Sequence, residues 1–273
     1  MFIVLPLFFS GRVMVVSLWE SLAWSLVAFS LAASSIYVIN DIVDENLDRL
    51  HPVKCRRPLA SGLVTRQNAL AVGVGCITLS LTTSWIFVSP MLTGVISVYY
   101  ILNVAYCFKL KQVAVLDILI VSLGYVFRLF VGSIATGVML SQWIVLMTYL
   151  LALFLALAKR RDDVLIYDQQ GIKTRHNIRR YNLSFINHSM STVAGVMLVC
   201  YVMYTVSPEV TQRLRTPYLY LTSLFVIGGV LRYMQITFVE LRSGSPTYIL
   251  LHDAFIQACV FGWILSFAIV IYL

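Results

Sequence analysis

The sequence predicts an all-α fold, a polytopic membrane bundle of about nine helices with a short first one. Three observations lead there. Of the 273 residues 60% are hydrophobic and only 12% are charged, against about 45–50% and about 25% for a soluble domain. The apolar runs are longer than strands and apolar on every side, so only helices can satisfy their backbone in lipid. The charges that remain are gathered between the runs, 20 Lys+Arg against 12 Asp+Glu for a net +8. This composition excludes a disordered chain, a disulfide-stapled module and an ordinary nucleic-acid-binding domain.

The elements follow in order. The opening MFIVLPLFFSGR is apolar but has no basic leader and no small-residue cleavage site. Residues 2–10 therefore read as a short membrane segment and not as a removed signal peptide. Longer spans are expected at roughly 18–39, 67–88, 90–108, 113–138, 142–158, 186–206, 217–239 and 252–273, each near the ~20 residues a span needs. Nothing marks a second, soluble domain. Cys55, Cys76, Cys107, Cys200 and Cys259 are scattered and form no CxxC pair, and the four His are isolated. No zinc site is expected.

Loop charge orients the chain. Loop 40–66 carries Arg49, Lys54, Arg56, Arg57 and Arg66; loop 109–112 carries Lys109 and Lys111. Loop 159–185 carries Lys159, Arg160, Arg161, Lys173, Arg175, Arg179 and Arg180, and loop 240–251 adds Arg242. Fifteen of the 20 basic residues thus share one side, against Arg12, Arg213 and Arg215 on the other. That side is expected to be cytoplasmic. Ten of the 12 acids lie there too, which topology does not require.

The sharpest motif is Asn40-Asp41-Ile42-Val43-Asp44-Glu45-Asn46-Leu47-Asp48. On a helix, Asp41, Asp44 and Asp48 lie within about 60° of one another. Three carboxylates on one face repel unless a cation sits among them, and hard oxygen ligands suit Mg2+ shared with a phosphate. The competing reading is a helix end solvated among headgroups. Directly after come Pro52, Lys54, Arg56, Arg57 and Pro58, cations beside the acids on a loop that proline keeps out of helix. Carboxylates, metal and Lys/Arg together hold a diphosphate. Taken alone, the cations would also fit topology or anionic-lipid contact.

Asn40-Asp41-xx-Asp44-xxx-Asp48 followed by Arg49, Lys54, Arg57-Pro58 and Gly62 resembles the first signature of the UbiA prenyltransferase superfamily. The resemblance implies one intramembrane domain over 1–273 and a Mg2+-dependent transferase that ionises a diphosphate substrate. It assigns the metal to Asp41, Asp44 and Asp48, with Lys54 and Arg57 acting beside them and Asn40 and Arg56 binding substrate. Members with aromatic acceptors carry a second DxxxD. Here Lys159-Arg160-Arg161-Asp162-Asp163 and Tyr167-Asp168 place no two Asp four apart. This region, with Tyr181, His51-Pro52-Val53-Lys54 and Gly124-Tyr125-Val126-Phe127-Arg128, is similar to the phosphoribosyltransferase branch. That branch implies transfer of a 5-phosphoribosyl group from phosphoribosyl diphosphate to a polyprenyl phosphate, with Lys159, Arg160, Asp162, Asp163 and Tyr181 binding substrate. It also implies a bacterial inner membrane, with the site facing the cytoplasm and no nucleic-acid partner.

The residues agree with that branch. Its two substrates bring three phosphate-bearing groups together, and many fixed cations are needed there. The competing reading of the 159–181 cations is a plain cytoplasmic anchor. Arg128 lies inside an apolar span, where a guanidinium costs at least ~2.5–3.5 kcal/mol. A substrate phosphate or an acid on another helix would offset it; Asp117 is about 16 Å away along the helix. Arg232 is near a helix end and can snorkel. The nucleophile is already an anion, so no strong general base is required. The rival readings are prenyl transfer to an aromatic acceptor, which the missing DxxxD disfavours, and an anion transporter, for which a carboxylate triad is unsuited.

Overall fold

The computed structural model describes residues 2–49, 54–171, 177–214, 216–241 and 246–272. His51, Pro52, Val53, Lys173, Arg175, Arg215 and Arg242, each used above, lie outside the described residues. Among the described residues every regular element is helical. The chain divides into two compact units, residues 1–120 with 124–140, and residues 121–123 with 141–273.

The first unit holds α1 (Leu5–Phe9), α2 (Ser17–Asp48), α3 (Arg66–Phe87), α4 (Pro90–Phe108) and most of α5 (Leu116–Thr136). Short side chains let α2 and α3 approach closely, and hydroxyls bond the facing backbone. Ser35 Oγ donates to Gly73 O at 2.8 Å and Ser80 Oγ to Ala28 O at 2.6 Å. A core of Leu22, Phe29, Ala32 and Ile36 from α2 meets Leu92, Ile96 and Tyr99 from α4 and Val131 from α5. Thr65 and Ser89 start α3 and α4 by accepting the Asn68 and Leu92 N–H groups, as N-caps do.

The second unit holds α6 (Gln142–Gln170), α7 (Leu183–Val206), α8 (Pro208–Leu214), α9 (Ser223–Phe238), α10 (Pro246–His252) and α11 (Ala254–Tyr272). Tyr201 on α7 is held at 2.8 Å from Thr222 Oγ1 and accepts the Trp263 indole N–H of α11 at 2.5 Å. Arg232, expected only to snorkel, is paired: its guanidinium lies 2.8 Å from Asp253 Oδ2 and 3.0 Å from Glu240 Oε1.

Among the described residues seven helices are long and apolar enough to cross a membrane, and eight if α10 and α11, bent by 84°, form one broken span. They match the longer expected spans. The 2–10 stretch differs, forming a 3-10 turn (Phe2–Val4) and the five-residue α1. At about 1.5 Å per residue, that is far too short to cross. The expected loop at 159 also differs. Helix α6 runs on through the charged residues to Gln170, because Arg160 and Asp163 pair along it at 2.9 Å. It stops where Gly171 turns left-handed, φ 68°, a conformation open to glycine.

Candidate active site

The last turns of α2 carry Asp44, Glu45 and Asp48 and no basic residue. A helix C-terminus bears partial negative charge, so acids there are unfavourable unless cations come from elsewhere. Four arrive. Arg57 Nη1 donates to Asp41 Oδ1 and Asp48 Oδ2, both at 2.7 Å. Lys111 Nζ donates to Asp44 Oδ1 at 2.6 Å and Asn40 Oδ1 at 3.2 Å. Glu45 is buried and takes Arg49 at 2.6 Å and also Arg66. Lys54 Nζ is 3.9 Å from Asp48 Oδ1.

The acid run therefore has two parts. Glu45 is a structural tie, fastening the start of α3 to the end of α2 through Arg66. Asp41, Asp44 and Asp48 share one face with Asn40 and hold cations that belong to other segments. Asp48 is buried, whereas Asp41 and Asp44 are partly open. The three do not close on a common point: Arg57 takes two and Lys111 the third, and among the described residues no three acid, His or Cys side chains converge as a metal cluster. As a donor set they still fit a hard divalent cation. They offer oxygens only, on one face, with positive charge already drawn against them. Lys111 was expected only to set topology. Its approach follows a strained reversal between α4 and α5, where Val115 has φ 70° and ψ −50°, costly for a β-branched residue.

Of the other expected residues, Arg56 ends a short 3-10 turn (Lys54–Arg56) and is exposed. Arg128 is not brought to the acids. Its guanidinium lies 5.2 Å from the Phe29 ring and 5.0 Å from the Tyr125 ring, and Nη1 donates to Gly124 O at 3.0 Å. Phe29 and Asp41 are about 18 Å apart along α2. Two aromatic faces and a carbonyl thus meet this charge within the first unit.

The second unit forms its own charged cluster. Arg160 is buried, pairs with Asp163, and stands 5.7 Å from the Tyr181 ring. Tyr181 closes the 3-10 turn Ile178–Arg180. Arg179 Nε donates to Tyr167 OH at 3.0 Å. Asp162 is half-buried and Lys159 exposed. Arg160 and Asp163 thus lie on helix α6 and not on a loop, and Tyr181, beyond the helix, stands against the Arg160 guanidinium.

Comparison with known proteins places this geometry. A model of the UbiA prenyltransferase family matches residues 4–255. The decaprenyl-phosphate phosphoribosyltransferase of Mycolicibacterium smegmatis is 34% identical over 257 residues, covering 91% of this chain and 79% of that protein. The protein of the same name from Mycobacterium tuberculosis is 31% identical over 255 residues, 91% and 81% of the two chains. A solved UbiA homologue from Archaeoglobus fulgidus, bound to DMAPP and Mg2+, superposes with a TM-score of 0.70 at 18% identity, covering 92% of this chain and 88% of that one. The apo UbiA homologue of Aeropyrum pernix gives 0.67 at 13% identity, covering 100% and 98%.

Proposed function

The chain belongs to the UbiA prenyltransferase family, and on that premise we propose that it moves a 5-phosphoribosyl group from phosphoribosyl diphosphate to a polyprenyl phosphate, releasing diphosphate. The relatives named for this activity span nine-tenths of the chain at 29–34% identity. One observation on the molecule carries the same reading. Where aromatic-acceptor members show a second acidic motif, this chain has the buried Arg160 and its neighbours, a set suited to anions and not to a second metal.

Asp41, Asp44 and Asp48 hold Mg2+, with Asn40 beside them, and the ion when bound neutralises charge on the diphosphate. Lys54 and Arg57 bind diphosphate oxygens and stabilise the charge that grows on them as the ribose C1–O bond breaks. Arg56, exposed at the same turn, adds a further cation. Lys159 and Arg160 bind phosphate groups, and Tyr181 keeps the Arg160 guanidinium in place from its face. Asp162 and Asp163 orient ribose hydroxyls. The lipid phosphate attacks as an anion, so these residues position and neutralise and none needs to remove a proton. Arg128 acts in packing and not on the diphosphate. In this reading the protein sits in a bacterial inner membrane with these charged ends in the cytoplasm, the orientation that the positive-inside asymmetry of the loops favours.

The test is an assay of membranes with labelled phosphoribosyl diphosphate and polyprenyl phosphate, run beside labelled prenyl diphosphate and 4-hydroxybenzoate. The expected result is Mg2+-dependent label in lipid in the first assay only. Label in the second alone would replace phosphoribosyl transfer by prenyl transfer to an aromatic acceptor.

A further inference from the structure

Helix α10 meets α11 at an 84° corner, and side chains fix that corner. Asp253 stands at it, accepting the Ile256 N–H of α11 and holding Arg232 of α9. Gln257 Nε2 of α11 reaches back to Leu251 O at 2.6 Å, and the Asp253 N–H donates to Ile249 O at 2.9 Å. Backbone groups that a helix end leaves open are thus met inside the protein, so the angle is built in.

Helix α11 has 19 residues, about 28 Å at about 1.5 Å per residue, close to the ~30 Å of hydrocarbon in a bilayer. It is long enough to cross without α10. Spans tilt by about 20° on average from the bilayer normal, so a helix at 84° to α11 lies near the membrane plane. Its depth follows from its neighbours. The Phe238 ring, at the end of α9, lies 5.6 Å from the Arg161 guanidinium of α6. Arg232 joins that end of α9 to Glu240 and to Asp253 at the start of α11. The corner therefore lies where α6 passes from apolar residues to Lys159, Arg160 and Arg161, at the membrane surface.

The side chains of α10 divide as a surface helix requires. Ile249 is 6% exposed, and α10 packs on α6. At about 100° per residue, Leu250 and Leu251 come next around the helix, 42% and 63% exposed. Tyr248 and His252 share the remaining face. Their rings stack 3.9 Å apart, and His252 Nδ1 donates to Tyr248 O at 2.9 Å. One face thus suits protein, one hydrocarbon, and one the headgroup layer, where tyrosine is favoured. The helix carries no Lys, Arg, Asp or Glu, so apolar insertion and not charge is what it offers a lipid surface.

We propose that α10 is a membrane-surface helix whose partner is the bilayer itself. Leu250 and Leu251 insert among acyl chains of the leaflet on the charged side, and Tyr248 and His252 lie among its headgroups. The proposal is independent of which group the protein transfers.

The experiment places a benzophenone amino acid at one position at a time, 249, 250, 251 or 252, in the full chain reconstituted in phosphatidylcholine vesicles. After irradiation, mass spectrometry reads adducts on acyl chains. Positions 250 and 251 should give acyl adducts about fivefold above position 252, and position 249 should crosslink within the chain. Absence of acyl adducts at 250 and 251 overturns the proposal, as does capture of a second copy of the chain there. Equal acyl adducts at 250, 251 and 252 would mean a helix sunk in hydrocarbon and overturn it too. Should the probe at the buried Ile249 unfold the chain, the exposed positions 250, 251 and 252 decide it alone.

Discussion

The Lys111 ammonium lies 2.6 Å from Asp44 Oδ1, across 67 residues of sequence. It joins the reversal between α4 and α5 to the acidic end of α2, and it supplies a positive charge where the helix end is already negative. Both side chains are mostly buried, 13% and 24% exposed. Replacing Lys111 by Met leaves Asp44 without its cation, a loss of about 1–3 kcal/mol. Because a divalent ion can take the same oxygen, Mg2+ should restore more stability to Lys111→Met than to the parent. Thermal unfolding in EDTA and in Mg2+ checks this; an equal Mg2+ effect on both proteins would refute it.

The acid run separates into structural and chemical members, and two amide substitutions should tell them apart. Asp41 and Arg57 are each about one-third exposed, 28% and 36%, so that pair contributes only about 0.2–1 kcal/mol. Asp41→Asn should leave Tm nearly unchanged and abolish Mg2+-dependent transfer. Glu45 ties Arg49 and Arg66 and faces none of the other acids' cations. Glu45→Gln should lower Tm yet keep transfer per folded molecule. The reverse pattern in the two variants would reassign the metal-binding face.

Gly132 on α5 stands against the backbone of the N-terminal segment: a Cβ there would overlap Ile3 O. No side-chain rotation can relieve contact with a carbonyl, so Gly132→Ala must displace residues 2–9 from α5. The expected outcome is a lower Tm and new protease sensitivity in that segment. Gly195 on α7 has nothing within 4 Å of the same added atom. Gly195→Ala should instead stabilise by about 0.5–1 kcal/mol, the gain of alanine over glycine inside a helix. Equal effects of the two substitutions would contradict the close approach at Ile3.

The sequence makes some of this arrangement legible and hides the rest for identifiable reasons. Long apolar runs announce helices because lipid permits nothing else, and Asp41, Asp44 and Asp48 announce a common face because the helical period is local. Lys111 is invisible as a site residue: its partner is in another span, and no spacing rule reaches across 67 residues. The charged stretch after Ala158 looks like a loop, since five charges in a row suggest solvent. The Arg160–Asp163 pair carries α6 onward, and the left-handed turn at Gly171 ends it. Arg128 shows the opposite difficulty. Sequence exposes its cost, but the faces that offset it, Phe29 and Tyr125, look like any other apolar residues.

Asp253 serves two purposes at the 84° break between α10 and α11. Its Oδ1 accepts the Ile256 N–H at 2.9 Å, capping α11, and its Oδ2 takes Arg232 of α9 at 2.8 Å and 3.1 Å. Losing the cap alone costs about 1 kcal/mol. Asp253→Asn keeps an oxygen for the cap and removes the charge that Arg232 binds. Asp253→Ala removes both. Tm should therefore fall in the order parent, Asn, Ala. Arg232→Gln should lower Tm at least as far as Asp253→Asn, because it takes the cation from Glu240 as well as from Asp253. Adding Arg232→Gln to Asp253→Asn should then lower Tm by less than the two single effects together, since the pair is already broken. Thermal unfolding of the four variants decides it, and full additivity would show that the break at Asp253 stands without Arg232.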